Sequence, residues 1–253
     1  MTRIYAVHHT PPQNFIRNDL FQDLLVGVDN NYLGSYAEVR AQLFAHQKLI
    51  LGSEEMIGFE HYRRRFFFLL GFHFKDPNLA KLSTSFISMR TVPLVYVGDT
   101  LFKTYLEERN SFPQIEEMIT DSDVIIPRAV PFQVPLRDQY AMHHVVSDFD
   151  ELYRVAMANP YFARMPELFE THELLHCNMF MMRWDLFEEW MEVFHEIMPQ
   201  LEHLIAGKTG YQARVLGFLT ERLFTVFMLR LRFMYPQLLV AELPILVCED
   251  PKL

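Results

Sequence analysis

The order of apolar runs and amphipathic segments limits the fold of this chain more than any other feature. Arg3–His8 is a β-branched and aromatic run that ends shortly before Pro11, as expected of a buried first strand. Residues 36–51 carry apolar side chains at helical spacing, and residues 56–59 form a second apolar run. A strand, a helix and a strand in this order predict an α/β fold with a mainly parallel sheet flanked by helices.

The alternation continues along the rest of the chain. There is no internal repeat, low-complexity tract or linker, which predicts a single domain over residues 1–253 with a C-terminal helical portion at about 184–235. The remaining predicted elements are strands at residues 93–97, 123–127 and 177–182 and helices at residues 101–108, 138–146, 149–158, 184–204 and 211–232.

Composition excludes several classes of protein. Of the 253 residues, 50% are hydrophobic and 22% are charged, so the chain can bury a large core and is not disordered. The net charge of −9 argues against a general nucleic-acid binder, whose phosphate contacts need a basic surface. No segment reaches the roughly 18 uncharged apolar residues of a membrane span, and the first residues do not resemble a signal peptide. With two cysteines, Cys177 and Cys248, the chain suits a reducing cytoplasm.

An H-E-x-x-H pattern, typical of zinc peptidases, is formed by His172, Glu173 and His176. On a helix this spacing places two imidazoles on one face, where both can bind Zn²⁺ while the glutamate activates water. Glu196 is a candidate third ligand on the following predicted helix. The strand predicted at residues 177–182 would, however, end a helix at the second histidine. A zinc-dependent hydrolase therefore stays an alternative, and the two histidines are predicted to lie at a cavity lip or in the core.

In sheets of this kind, ligands bind outside the carboxyl ends of the strands. The residues that follow the predicted strands are therefore the first candidates for a binding site. They are His8 and His9, residues 61–64, Arg128, and the region around Asn178.

Several motifs occur in an order that matches a known family. They are residues 58–64 (GFEHYRR), 123–127 (DVIIP), 139–140 (QY) with His143 or His144 shortly after, 159–161 (NPY), 178–182 (NMFMM) and 214–223 (RVLGFLTERL). From residue 4 to residue 244 the chain thereby resembles the bacterial capsule and exopolysaccharide glycosyltransferases that were long labelled only as a domain of unknown function and that include predicted galactofuranosyltransferases. Glu60 is a departure, because the family commonly has a small residue or cysteine there. The resemblance implies a nucleotide-sugar-dependent transferase with a single-domain, Rossmann-like glycosyltransferase A-type fold.

The resemblance also implies a donor site at the strand ends. A departing nucleotide diphosphate develops negative charge, which the guanidinium groups of Arg63 and Arg64 can neutralise bidentately. His9, His61 and Asn178 complete the predicted donor contacts. Many A-type glycosyltransferases hold Mn²⁺ or Mg²⁺ with carboxylates at this position, where this chain has residues 60–64 (EHYRR), so a metal is not firmly predicted. The alternatives are a solvated arginine run, a basic and aromatic membrane-surface patch, and, for Asn178, a capping amide.

The acceptor side is predicted on the last long helix. Glu221 is the candidate base that removes a proton from the acceptor hydroxyl, as an inverting transferase requires. The alternative is that Glu221 pairs with Arg214 or Arg222 as part of an apolar helix face. Candidate acceptor or supporting residues are Tyr140, His144, Arg214 and Arg222.

The sequence thus predicts a cytoplasmic enzyme that moves a hexose, galactofuranose being one option, from a UDP-sugar donor to a surface-polysaccharide or lipid-linked glycan acceptor. Its partners are the UDP-sugar and the acceptor, without nucleic acid. Peripheral contact with the inner face of the cytoplasmic membrane would use residues 65–68 or 230–235. A noncatalytic membrane-associated scaffold and the zinc hydrolase are the two alternatives.

Overall fold

A nine-stranded sheet forms the centre of the fold in the part of the chain that the structure describes. The computed structural model describes residues 2–8, 19–25, 31–68, 73–88, 92–112 and 114–249, without the side chains of residues 31–34 and 86–88. Its strands are β1 (Arg3–His8), β2 (Phe21–Leu25), β3 (Met56–His61), β4 (Arg64–Phe66), β5 (Leu94–Val97), β6 (Val124–Pro127), β7 (Val130–Pro131), β8 (Glu173–Leu174), β9 (Phe180–Arg183), β10 (Val240–Leu243) and β11 (Ile245–Cys248), of which β7 and β8 form a separate small sheet.

Helices cover both sides of this sheet. The α-helices are α1 (Arg40–Lys48), α2 (Pro77–Ser88), α3 (Asp99–Asn110), α4 (Gln114–Thr120), α5 (Leu136–Ala141), α6 (Val146–Ala158), α7 (Trp184–Ile197) and α8 (Val215–Met234), and shorter 3₁₀ helices occupy Asn31–Val39, Pro166–Glu170, Met198–Ile205 and Gly210–Arg214. The predicted α/β class, with a central sheet flanked by helices, is confirmed.

The sheet is mixed in direction. Along the row β2-β1-β3-β9-β6-β10, five strands run one way and β9 runs against its two neighbours, β3 and β6. A branch leaves this row where β3 turns tightly into β4, and it continues through β11 to β5. The turn between β3 and β4 is too short for a crossover helix, so these two strands must be antiparallel. Within the branch, β4 runs against both of its neighbours, and β11 pairs with β5 in parallel. Seven of the nine strands of the described sheet therefore run in the same direction, which agrees with a mainly parallel sheet.

Each face of the sheet is buried by its own group of helices. In β9, Phe180 and Met182 point to the face covered by α1 and α5 to α8, whereas Met181 points to the face covered by α2 to α4. The side chains of a strand alternate between faces, so a strand covered on both faces is apolar at nearly every position. This explains why runs such as residues 123–127 and 178–182 have no alternating polar pattern.

Several predicted boundaries were wrong. The segment predicted as a helix over residues 36–51 begins as a 3₁₀ helix, and its α-helix covers only Arg40–Lys48. The predicted strand 177–182 begins at Phe180, because Cys177 and Asn178 have φ angles of 78° and 50°, which no strand residue adopts. Strands β2, β4, β10 and β11 and helices α2 and α4 were not predicted at all.

A buried ion cluster joins the turn between β3 and β4 to α3. Glu60 is 1% exposed, and both of its carboxylate oxygens lie 2.9 Å from Nη1 of Arg109. One of these oxygens also accepts a hydrogen bond from the backbone N–H of Phe66, and Arg65 lies 3.8 Å from the other. Arg65 donates to the carbonyl of His61 at 2.8 Å. Charges this deeply buried are tolerated only when paired, so the cluster holds the turn in one conformation.

One of the two predicted membrane-contacting segments is excluded by burial. Arg65 is 4% exposed, and the three phenylalanines that follow it are at most 1% exposed, so residues 65–68 lie in the core. At the end of α8, Phe233 and Met234 are 69% and 47% exposed, and this second segment stays a prediction. Among the described helices, none combines the length and the apolar character needed to cross a bilayer.

Removing the charge of Glu60 should destabilise the fold. Glu60→Gln keeps an oxygen for the Phe66 N–H but removes the negative charge that faces the buried guanidinium groups of Arg109 and Arg65, so we expect a loss of about 3 kcal/mol in the free energy of unfolding, measured by urea titration. The matched control is Glu107→Gln on the exposed side of α3, which should change it by less than about 0.5 kcal/mol. Equal effects of the two substitutions would show that the buried ion cluster contributes nothing.

Candidate functional site

Two adjoining cavities lie beside the turn between β3 and β4. The first, the loop cavity, has a volume of about 660 Å³ and is lined by residues of this turn, by Tyr96 of β5 and by the end of β11. The second, the helix cavity, has a volume of about 410 Å³ and is lined by residues of α8, by residues 176–178 and by Tyr211. Both volumes fall within the range of small-molecule sites. The predicted location, outside the carboxyl end of a strand, is therefore where the structure places a cavity.

The two cavities share a wall. Five residues line both of them: Glu38, Arg64, His176, Cys177 and Arg214. A ligand in one cavity would consequently lie next to a ligand in the other.

Glu38 is the centre of this shared wall, and sequence reasoning missed it. Its carboxylate lies 3.0 Å from Nε2 of His61 and accepts from Nη2 of Arg214 at 2.8 and 3.0 Å. It follows Ala37, whose φ of 50° is uncommon for a residue other than glycine. An acidic residue within a mostly apolar segment was the signal that could have identified it, because such a carboxylate needs a partner.

The arginine turn, Tyr62 to Arg64, forms one side of the loop cavity. Arg63 donates from Nη2 to the carbonyl of Cys248 at 3.0 Å, and the N–H of Cys248 donates back to the carbonyl of Arg63 at 2.9 Å. Arg64 lines both cavities. Its pKa is raised by Cys177 beside it and lowered by burial, and the carboxylates of Glu38 and Glu221 raise it further. The turn thus places the guanidinium-bearing residues Arg63 and Arg64 along the wall of the loop cavity.

A left-handed turn at Cys177 and Asn178 forms the floor of the helix cavity. The amide of Asn178 donates to the carbonyl of Gly217 at 3.2 Å, and its backbone carbonyl accepts from Gln42 at 3.1 Å. Asn178 is 6% exposed, yet its Oδ1 has no hydrogen-bond partner among the described residues. A buried amide oxygen without a partner is costly, so Asn178 is held here by its other hydrogen bonds at the expense of this oxygen. Asn178 precedes the strand and does not start it, contrary to the prediction.

Glu221 holds the same turn from α8. Its Oε1 accepts from the backbone N–H of Cys177 at 2.6 Å, and its Oε2 accepts from Arg222 at 3.0 Å. Arg222 also donates to Gln139 at 2.8 Å. The alternative that Glu221 pairs with Arg222 is therefore realised, whereas Arg214 pairs with Glu38. The side chain of Glu221 remains 17% exposed and lines the helix cavity, so it can still reach a ligand.

The remaining predicted site residues lie at different depths. His144 lines the helix cavity with its ring stacked on Phe218, at 4.2 Å between centroids. Burial and the charge of Arg222 lower the pKa of His144 to about 4, so the ring is neutral at pH 7. Tyr140 is fully buried behind His144 and supports the wall. His9 lies outside the described residues.

The zinc geometry does not form. His172 and Glu173 are exposed, and residues 173–174 belong to strand β8 and not to a helix. In an extended chain, residues four apart are separated by about 13 Å, too far for two ligands of one zinc ion. In the described part of the chain, no three metal-ligating side chains lie close enough to hold an ion. His176 instead lies on the shared wall, where burial lowers its pKa.

Comparison with solved structures identifies the class of fold. The structure described as the WbbM bifunctional glycosyltransferase in its apo form superimposes with a TM-score of 0.74 at 21% sequence identity. The match covers 98% of this chain and 45% of that one, so this chain spans less than half the length of that protein. At this identity the likeness establishes the fold alone, an α/β fold with a central sheet flanked by helices.

The family follows from a separate sequence comparison. Residues 29–232 match the model of DUF4422, a domain of unknown function, and the chain belongs to this family. No curated protein matches the chain. The predicted membership in a family labelled as a domain of unknown function is thereby confirmed, whereas its capsule, exopolysaccharide and galactofuranose assignments stay proposals.

The extended segment at residues 172–176 leads to a prediction about metal content. Purified protein should contain no stoichiometric zinc by elemental analysis, because the two histidines cannot bind one ion. His172→Ala should leave binding of uridine diphosphate unchanged. Stoichiometric zinc that is lost in this variant would contradict the structure of this segment.

Proposed function

We propose that the protein is a glycosyltransferase that transfers a hexose, galactofuranose being one option, from a UDP-sugar to a surface-polysaccharide or lipid-linked glycan acceptor. The observation that carries this proposal is the pair of cavities that meet at one wall, with guanidinium groups on one side and a partly exposed carboxylate on the other. A transferase needs two substrates in contact, a counter-charge for the leaving group and a base for the acceptor. The family membership and the fold are consistent with this function.

The loop cavity is the proposed donor site. Arg63 and Arg64 would hold the diphosphate, since planar guanidinium groups bind phosphate oxygens bidentately. The backbone contacts of Arg63 to Cys248 fix one of these groups before the donor binds, which limits the entropy lost on binding. His61 lines the same cavity and is oriented by Glu38. Of the other two predicted donor contacts, His9 lies outside the described residues, and Asn178 lines the helix cavity and not the loop cavity.

The charge at this strand end favours arginine over a divalent cation as the partner of the diphosphate. Glu60 is the carboxylate nearest in sequence to the arginine turn, and its two oxygens are occupied by Arg109. A cation here would need free oxygen ligands and would face the guanidinium groups of the turn. Glu60 therefore has no free oxygen to offer to Mn²⁺ or Mg²⁺ at this position.

Glu221 is the proposed catalytic base on the acceptor side. Its carboxylate would take the proton of the acceptor hydroxyl as that oxygen forms a bond to the anomeric carbon. In the same step the bond between the anomeric carbon and the diphosphate breaks, and the diphosphate leaves with its electron pair next to the arginines. Arg64 lines both cavities, so its positive charge would stabilise the negative charge that develops on the diphosphate as it leaves.

We further propose that the enzyme works in the cytoplasm with peripheral contact to the inner face of the membrane. Phe233 at the end of α8 and Leu239 just beyond it are 69% and 61% exposed and offer apolar side chains for such a contact. The same surface would serve the alternative function, a noncatalytic membrane-associated scaffold. Binding of uridine diphosphate separates the two functions, because a scaffold has no reason to bind a nucleotide.

Replacement of either arginine should weaken binding of the diphosphate. We expect Arg63→Ala and Arg64→Ala to raise the Kd for uridine diphosphate by roughly ten- to a hundredfold, which corresponds to one charge-assisted contact. Lysine should rescue only part of the loss, because it offers a point charge without the planar fork. Calorimetry with uridine, its monophosphate and its diphosphate measures this, and the loss should be much smaller for uridine.

Arg154→Ala is the matched control, since Arg154 is exposed on α6 and pairs only with a surface glutamate in the described structure. It should leave all three affinities unchanged. If the two turn variants bind the diphosphate as tightly as the wild type, the arginines are not donor ligands. If the affinities for uridine, its monophosphate and its diphosphate all fall equally, the turn instead holds the base or the fold.

Replacement of the proposed base should abolish transfer without abolishing donor binding. Glu221→Gln can still accept the hydrogen bond from the Cys177 N–H, so the turn should persist, while kcat should fall by roughly 10²- to 10⁴-fold. Release of uridine diphosphate from a panel of UDP-sugars measures turnover, and calorimetry measures donor affinity. Glu173→Gln, an exposed position outside both cavities, should retain full activity. A fully active Glu221→Gln variant would exclude this residue as the base.

A further inference from the structure

One wall of the loop cavity is a row of side chains on three neighbouring strands. Val247 of β11 is paired with Arg64 of β4 on one side and with Tyr96 of β5 on the other. Residues that pair across strands project from the same face of a sheet, and all three of these residues line the loop cavity. Neighbouring strands lie about 5 Å apart, so about 10 Å separates the backbones of Arg64 and Tyr96. The row is therefore basic at one end and aromatic at the other.

Tyr96 offers a ring at the aromatic end of this row. It is 58% exposed, whereas Val95 and Val97 on either side of it are at most 6% exposed, because side chains alternate between the faces of a strand. Val247 is 9% exposed and makes the centre of the row apolar. A flat, uncharged group of a ligand can stack on an aromatic side chain in such a position.

A carboxylate lies near this ring. Glu249 follows β11, and its backbone N–H donates to the carbonyl of Val97 at 3.0 Å, so the pairing with β5 extends to this residue. By the same alternation Glu249 shares a face with Val247, about 7 Å further along the strand, and it also lines the loop cavity. Its side chain is exposed, and none of the described residues forms a hydrogen bond or an ion pair with its carboxylate.

The charges of the cavity give a bound nucleotide a direction. One paired group is formed by Glu38, His61 and Arg214. Burial lowers the pKa of His176, so its ring is neutral at pH 7. The remaining charged residues of the lining are Arg63, Arg64 and Glu249. Phosphates are attracted to the two arginines and repelled by Glu249, whereas neutral hydroxyl groups can donate hydrogen bonds to a carboxylate.

From this arrangement we propose that Tyr96 stacks on the base of the donor nucleotide and that Glu249 accepts hydrogen bonds from the two neighbouring hydroxyls of its ribose. In a nucleotide the ribose lies between the phosphates and the base, as Val247 lies between Arg64 and Tyr96. The proposal rests on the proposed function, in which the loop cavity holds the diphosphate, and it adds the residues that recognise the nucleoside.

The two contacts contribute differently to the selection of the donor. Stacking on a tyrosine tolerates any base, because every base has a flat π-face. A site that hydrogen-bonds a hydroxyl, in contrast, rejects an analogue that lacks this hydroxyl. Glu249 therefore makes the site select ribonucleotide donors over 2′-deoxyribonucleotide donors, such as thymidine diphosphate sugars.

Calorimetry with uridine diphosphate and 2′-deoxyuridine diphosphate, first in EDTA and then with Mg²⁺, tests the role of Glu249. In the wild type we expect the deoxy compound to bind about fivefold more weakly or worse, as for the loss of a hydrogen bond to a charged group. Glu249→Ala should bring the two Kd values within about twofold of each other. Glu249→Gln should keep part of the preference, because its amide oxygen still accepts a hydrogen bond.

The matched control is Glu107→Ala, which removes an exposed carboxylate of α3 outside both cavities. It should keep the wild-type ratio of the two Kd values. Thermal melting should show that the Glu249 and Tyr96 variants remain folded, since both side chains are exposed.

Calorimetry with uridine and uridine diphosphate tests the role of Tyr96. Tyr96→Ala should raise both Kd values by the same factor, about fivefold or more, as expected for the loss of one stacked base. Tyr96→Phe should stay within about twofold of the wild type, because the ring is kept. Tyr153→Ala, a surface position of α6 outside both cavities, is the control and should leave both affinities unchanged.

Several outcomes would overturn the proposal while the wild type still binds uridine diphosphate through its arginines, and these would leave the proposed function standing. They are equal affinity for the two diphosphates, a preference that survives in Glu249→Ala, a preference seen only with Mg²⁺, and unchanged affinity in Tyr96→Ala. If neither uridine nor its diphosphate binds in either condition, the proposed donor site fails as well. If uridine binds through Tyr96 and the diphosphate adds no affinity, the nucleoside contacts hold and the donor role of the arginines fails.

Discussion

The buried carboxylate of Glu60 is the interaction on which the proposed donor site depends. Its hydrogen bond to the Phe66 N–H and its contacts with Arg109 and Arg65 tie both arms of one turn to α3. Arg109 also lies over the ring of Phe21 at 3.7 Å, so the cluster connects the turn to an outer strand of the sheet. The turn that carries Arg63 and Arg64 is consequently anchored from below, and its guanidinium groups do not have to be ordered by the ligand.

Glu38 fixes the wall between the two cavities, as Glu60 fixes the arginine turn. It orients His61 at the end of β3 and Arg214 at the start of α8, so residues from distant parts of the chain become one wall. Gly217 makes this approach feasible, because a Cβ there would lie 3.2 Å from the Cβ of Ala37. The packing of two backbones thus determines where the carboxylate stands. A change at either backbone would move a residue of each cavity at once.

The parts of the fold that followed from the sequence are those with a strong local pattern. Strands β1, β3 and β6 were predicted because β-branched and aromatic runs end at turn residues, and α7 and α8 because their apolar stripes are long. Strand β4 was missed because Arg64 and Arg65 suggest a loop, and only the buried partner Glu60 makes Arg65 acceptable in a strand. The site followed the same rule. The arginine turn was predictable from its position after a strand. Glu38, in contrast, becomes a site residue through its ion pair with Arg214, 176 positions away, and Tyr211 through its ring contact with Phe218, 7 positions away.

Glu221 shows how a residue can hold the structure and remain available for chemistry. Each of its oxygens already accepts one hydrogen bond, from the Cys177 N–H and from Arg222, and a carboxylate oxygen has a second lone pair. A proton taken from an acceptor would therefore occupy a free lone pair without releasing the turn. Protonation would remove the charge that faces Arg222 at the moment when the departing diphosphate gains charge beside Arg64. Arg64 lies on the wall common to both cavities. In the proposed reaction its guanidinium group would therefore face less negative charge at Glu221 and more negative charge at the departing diphosphate.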